Sequence, residues 1–278
     1  MNGAAFIVCS PTGKETPLIV EIPHAGLGVP PHFLPDLLAP ARAMGRDADL
    51  YVDELYAEAP SRGASVLLAR TSRYVVDLNR DESDVDAQSV AAAPGADAPS
   101  KHSPRGVIWR VTTEGDRAIA APLRREAFEE RLREVHRPYH AQLAELIRRK
   151  KERFGLAVVL AAHSMPSQAV SPSNGGRPRA DVVPGSQGRT SAHARFIDGV
   201  EAHARQANLS VSHDDPYRGG FTTRHYGQPD AGVHVVQVEL ARRLYMDEVT
   251  LKRHSGRFER LQAWCGELVA KLGRAALT

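Results

Sequence analysis

The chain has 278 residues, 42% hydrophobic and 25% charged, enough to build a sizeable core in one large or two small domains. A net charge of +3, with basic residues scattered in helical runs such as RRKKER (148–153), argues against a concentrated nucleic-acid-binding face. Two distant cysteines, Cys9 and Cys265, exclude a disulfide framework, and no stretch approaches the ~20 apolar residues of a membrane span.

In chain order, the N-terminal MNGAAFIVCSPTGKE lacks the basic start and long apolar core of a signal peptide, so the expected location is the cytoplasm. PLIVEIPH (17–24) reads as a buried strand closing on His24, with Ala-Gly opening a turn. RDADLYVDELY (46–56) offers Asp47, Asp49 and Asp53; if a helix starts here, Asp49 and Asp53 share a face. ASVLLAR (64–70) and YVVDLNR (74–80) read as further strands, and 81–106 has the composition of a long loop. Over 126–150, Phe128, Leu132, Val135, Tyr139, Leu143 and Leu146 form a helical stripe that Pro138 should kink or divide. LAVVLAAH (156–163) is a strand ending on His163, followed by a second long loop, 164–192. VHVVQVEL (233–240) is a strand in which Gln237 and Glu239 stand out as strongly polar, and Phe258, Leu261, Trp264, Leu268 and Leu272 mark a C-terminal helix. Strands alternating with helices predict a single α/β domain over 1–278 with a mixed, mainly parallel sheet, and open sheets of this kind carry their sites at the strands' carboxyl ends.

Polar residues collect at those ends: His24, His163, Glu239 and the Asn79–Arg80 pair, with Arg73 just before YVVDLNR. Each has a structural alternative. Glu239 could pair with Arg242 or Arg243, Asp77 could pair with Arg80, and the three aspartates could serve a helix N-terminus. Together they point to a site. Two histidines on separate strands suggest a metal, because a hydrolytic zinc takes three His, Asp or Glu ligands and leaves one position for water. Asp47, Asp49 and Asp53 all remain open as the third ligand.

PLIVEIPHAGLGVP, DADLYVDELY, SRYVVDLNRD, AAHSMPS and GGFTTRHYGQPDAGVHVVQVELARRLYMDE together resemble the N-formylglutamate amidohydrolase family, from about Pro17 to Glu248 and in the same order. The resemblance implies a three-layer fold like that of the zinc carboxypeptidases and aspartoacylase, with one Zn2+ (or another divalent ion) per chain on His24, His163 and, by motif position, Asp49. It further implies Glu239 as general base, Arg73 as oxyanion stabiliser, and Asn79 and Arg80 as the grip on a substrate carboxylate. Arg224, His225 and Tyr226 would line the substrate pocket. The implied reaction is hydrolysis of N-formyl-L-glutamate to formate and L-glutamate, a step of histidine degradation on a small N-acyl amino acid, with no nucleic-acid or membrane partner. The carboxypeptidases place a glutamate three residues after their first histidine, where this chain has Leu27. Two other readings stay open: a deacylase of another N-acyl amino acid or small amide, and a non-catalytic metal- or ligand-binding protein, against which Glu239 argues.

Overall fold

The structure, a computed structural model, describes residues 4–91, 103–168 and 178–277. The remainder of the two predicted loops, 92–102 and 169–177, lies outside the described residues.

Six strands, β1 (Phe6–Cys9), β2 (Leu18–Ile22), β3 (Ser65–Ala69), β4 (Ala157–Met165), β5 (Val182–Gly185) and β6 (Val233–Ala241), form one sheet in the order β1-β3-β2-β4-β6-β5. The helices are α1 (Ala41–Asp47), α2 (Val52–Leu55), α3 (Arg125–Arg131), α4 (Arg137–Phe154), α5 (Ala194–Gln206), α6 (Phe221–Tyr226) and α7 (Arg257–Ala275). Every residue of β2, β4 and β6 is buried, which is why these strands appear in the sequence as near-continuous Val, Ile, Leu and Ala runs. β2 runs parallel to β4 and β4 to β6, whereas β5 is antiparallel to β6. The expected mixed α/β sheet is therefore present. Among the described residues, no helix is long and apolar enough to cross a membrane.

Four local expectations need correction. Residues 74–80 are not a strand but a series of turns. The Asp77 carboxylate accepts the Asn79 backbone N–H at 2.9 Å, a local bond that competes with a sheet ladder. β5 falls inside the predicted 164–192 loop; its Pro184 is tolerated because β5 is an edge strand. Strand β4 continues two residues past His163, to Met165. Finally, Asp47, Asp49 and Asp53 do not share a helix: Asp47 closes α1, Asp53 sits in α2, and Asp49 lies in the connection, where Tyr51 adopts a left-handed φ of 67°. The helical stripe at 126–150 is divided as expected. A π turn over Leu132–His136 interrupts the α-helical pattern between α3 and α4, and Pro138, which has no N–H to donate, follows it as the second residue of α4.

The described chain forms two compact units, one comprising the N-terminal residues to Ile7 with Pro23–Leu50 and Leu68–Ala144, the other Val8–Ile22, Tyr51–Leu67 and the chain from Glu145. In the first, Tyr74, Trp109, Ala39 and Ala118 form a core cluster, the two rings edge to face at 5.8 Å. In the second, α7 packs on α2, α5 and β2 through the buried stripe Phe258, Leu261, Trp264, Leu268 and Leu272. There too Lys150 is buried, its Nζ donating to Glu15 and to the Thr16 carbonyl, both at 2.8 Å. Leu160, at the centre of β4, is fully buried. Leu160→Ala should lower the unfolding free energy by about 2–5 kcal/mol in urea denaturation; an unchanged midpoint would take β4 out of the core.

Candidate active site

In the first unit the site is built around His24, two residues beyond the end of β2 and buried. Its Nε2 lies 2.8 Å from Asp77 Oδ1, and its Nδ1 lies 3.6 Å from Asp49 Oδ2. The Asp49 backbone N–H donates to the His24 carbonyl at 2.9 Å, so the two residues are joined through the main chain as well. An ionised carboxylate can only accept, so Asp77 draws the imidazole hydrogen to Nε2 and leaves Nδ1 to accept from Arg73 Nη2. Arg73 adds positive charge here. Its Nη2 lies 2.8 Å from His24 Nδ1 and 3.1 Å from Asp77 Oδ2, its Nη1 donates to the Asp47 carbonyl at 3.1 Å, and its guanidinium lies 4.5 Å from the centre of the Trp109 ring. Trp109 Nε1 also donates to Asp77 Oδ2, at 2.9 Å. Burial alone would push the Asp77 carboxyl up; His24, Arg73 and Arg80 outweigh it and hold the group well below the usual carboxylate range.

Of the three candidate aspartates, Asp49 is the one brought beside His24. Asp47 instead accepts from the Tyr74 and Thr113 hydroxyls and from the Thr113 N–H at 3.0 Å, and Asp53 is half-buried in α2. Asn79 is buried, and the backbone around it is pinned by two histidines that sequence reasoning did not select: His136 donates to the Arg80 carbonyl at 2.9 Å and His140 to the Leu78 carbonyl at 3.0 Å. Asp77 too was weighed only as a local partner for Arg80. The available signal was an acidic residue inside the apolar run YVVDL.

In the second unit, His163 on β4 pairs in register with Glu239 on β6, and both are buried. Paired residues share a face, and so do residues two apart, so Ala161 and Gln237 lie on that face as well. Gln237 Nε2 donates to Glu239 Oε1 at 2.9 Å. Arg243 pairs with Asp181 at 2.8 Å, and Arg242 Nε donates to Ser164 Oγ at 3.2 Å. Arg224, His225 and Tyr226 all fall on α6. Arg224 and His225 are exposed, His225 stacking on Phe221 at 4.7 Å, while Tyr226 is half-buried. Burial, and then the charge of Glu21, push the Tyr226 hydroxyl up. Glu21 is itself fully buried on β2 and accepts from the Thr222 hydroxyl at 3.3 Å.

A serine–histidine–glutamate series also occurs in this unit. His213 Nε2 lies 2.9 Å from Ser186 Oγ, and its Nδ1 lies 2.9 Å from Glu201 Oε1. Ser186 is fully buried, and its hydroxyl oxygen also accepts the Arg189 N–H at 3.0 Å. The series acts as scaffold: the next residue, Gln187, donates to the Gly219 carbonyl at 2.7 Å and so ties this turn to the segment leading into α6.

Among the described residues, the buried donors suited to a metal are His24, Asp49 and His163. A second set, His32, Glu130 and Glu134, lies near the surface, with His32 and Glu134 already 2.9 Å apart.

A sheet whose central strands β2, β4 and β6 run parallel, with helices between them in sequence, is that of an α/β protein. Comparison with known proteins narrows the class. The model of the N-formylglutamate amidohydrolase family matches residues 16–246, and the chain belongs to that family. It is 36% identical over 243 residues to an N-formylglutamate deformylase of Pseudomonas aeruginosa, covering 84% of each chain. A Pseudomonas putida N-formylglutamate deformylase is 31% identical over 236 residues, covering 84% of this chain and 82% of that one. The crystal structure of an N-formylglutamate amidohydrolase from Ralstonia eutropha superposes with a TM-score of 0.87 at 28% identity, covering 98% of both chains.

Carboxylates that fix a metal-binding histidine are typically worth about 10–100-fold in metal affinity. If His24 holds a metal ion, Asp77→Ala should weaken Zn2+ binding by about that factor in a chelator competition assay. Unchanged affinity would make Asp77 a purely structural residue.

Proposed function

We propose that the protein is a metal-dependent amidohydrolase that cleaves N-formyl-L-glutamate to formate and L-glutamate, with one zinc ion per chain on His24, Asp49 and His163. Family membership and the names of the two Pseudomonas relatives support the substrate. The observation that carries the reading is the pairing of His163 with Glu239 across β4 and β6, which sets a metal-type donor beside a buried acid on one face of the sheet.

The donor chemistry fits zinc. Two imidazoles and one carboxylate are a hydrolytic ligand set, and Asp77, 2.8 Å from His24 Nε2, orients that ring. When bound, such an ion supplies Lewis acidity, lowering the pKa of water toward ~7 and polarising the carbonyl. Glu239 takes a proton from the attacking water and delivers it to the amine as the C–N bond of the formamide breaks. The Gln237 amide donates to Glu239 Oε1 at 2.9 Å and so fixes the direction of that carboxylate. Arg73 stabilises the charge that develops on the formyl oxygen. Asn79 and Arg80 hold a glutamate carboxylate, the planar guanidinium being suited to a bidentate grip. Arg224, His225 and Tyr226 of α6 line the pocket. With this substrate the reaction is a cytoplasmic step of histidine degradation.

Glu239→Gln should keep its zinc and lose turnover of N-formylglutamate by ~10²–10⁴-fold, the usual contribution of a general base, in a formate-release assay. A variant as active as the wild type would remove Glu239 from the chemistry. Separately, Arg80→Ala should raise KM for N-formylglutamate far more than for an uncharged N-formyl amine; equal changes for both substrates would mean that Arg80 does not meet a carboxylate.

A further inference from the structure

We propose that Gln237 is a positioning residue that couples the seating of α6 to the aim of the Glu239 carboxylate, so that substrate grip and proton transfer share one side-chain amide. The inference rests on Glu239 acting as base and goes beyond it.

Gln237 is a buried amide in the strand VHVVQVELA, where an unmade hydrogen bond would be costly. Both ends of the amide are used. Its Oε1 accepts the Gly220 backbone N–H at 2.9 Å, and its Nε2 donates to Glu239 Oε1 at 2.9 Å. Gly220 is the residue that caps α6, and it has no side chain with which to close the helix start itself. The turn before it is fixed in turn by Gly219, whose φ is +103° and whose Cβ would lie 2.8 Å from the Thr223 side chain. Helix α6 is thus tied to the sheet by Thr222 on Glu21 of β2 and by Gly220 on Gln237 of β6. The register Glu21↔Ala161↔Gln237 puts both anchors on the face that carries His163 and Glu239.

The amide is planar and rigid, so its two hydrogen bonds are not independent. A displacement of α6 that moves the Gly220 N–H turns the same group that holds Glu239 Oε1. Binding against Arg224, His225 and Tyr226 therefore reaches the base through Gln237.

Two substitutions separate the two ends of the amide. Gln237→Glu keeps an acceptor for Gly220 but sets a second carboxylate against Glu239; Gln237→Met keeps the length and removes both bonds. The expected result for Gln237→Glu is a kcat reduced about tenfold or more, the scale of a hydrogen bond to a charged group, with KM within about twofold. For Gln237→Met, kcat falls, KM rises, and the metal-free protein loses hydrogen-exchange protection in the peptide containing Gly220, which Gln237→Glu retains. Wild-type kcat in Gln237→Glu, or unchanged protection in Gln237→Met, overturns the proposal. So does a parallel change of kcat and KM in both variants that simply follows their melting temperatures. Glu239→Gln serves as the reference. If that variant stays active, it is the base assignment that has failed. If it is inactive while Gln237→Glu is fully active, the positioning role alone has failed.

Discussion

A single buried carboxylate organises the first unit. Asp77 accepts from His24 Nε2, Trp109 Nε1, Arg73 Nη2 and the Asn79 N–H, all within 3.1 Å. An ionised carboxylate in an apolar interior is costly unless its lone pairs are filled, and here four donors fill them. The same bonds fix three further things: which nitrogen of His24 carries hydrogen, where the Arg73 guanidinium lies, and the turn that presents Asn79 and Arg80. Catalytic candidates from two stretches of sequence thereby acquire positions from one acceptor.

In the second unit, strand register does the equivalent work. Residues two apart on β6 share a face, so Gln237 and Glu239 lie together while His234 falls on the opposite side. A slip of one residue would exchange the two sets. The consequence is visible in the two strand histidines. His234 packs at 4.9 Å against Phe196, accepts the His193 N–H at 3.2 Å, and burial, with the nearby Arg195 and His193, drives its imidazole down to about 4, leaving it a neutral core residue. His163 is also buried, but it faces an acid. Identical side chains in adjacent strands thus differ in chemistry because of the face they occupy.

This contrast also explains how much the sequence disclosed. Strands β2, β4 and β6 were legible because burial on both faces produces unbroken apolar runs, and a polar residue in such a run, such as Glu239, is conspicuous. The same rule misread YVVDLNR. Its composition is that of a strand, and what decides its conformation is a set of bonds to Asp77 from His24 and Trp109, 53 and 32 residues away in sequence. Periodicity carries no record of such partners. The roles of His136 and His140 were hidden for the same reason, since their acceptors are main-chain carbonyls 56 and 62 residues distant. Gln237 was noticed as polar, but its meaning depends on Gly220, which no local pattern connects to it.

The absence of a glutamate at position 27 has a physical counterpart in the turn after His24. Cβ atoms added at Gly26 and Gly28 would lie 2.4 and 2.8 Å from the Arg70 backbone, and the Gly28 N–H donates to the Arg70 carbonyl at 2.9 Å. The main chain of this turn is therefore docked against residues 69–70, while Leu27 between the glycines remains 45% exposed. A carboxylate instead reaches the Nδ1 side of the His24 ring from another segment: the Asp49 N–H is bonded to the His24 carbonyl at 2.9 Å, and its Oδ2 lies 3.6 Å from His24 Nδ1. That backbone hydrogen bond fixes the spacing of the two main chains, so only side-chain rotamers set the distance between ring and carboxylate, whereas a side chain at position 27 would stand on an exposed turn. On the function proposed above, Asp49 is the acidic oxygen that joins the two imidazoles in the donor set of a hydrolytic zinc.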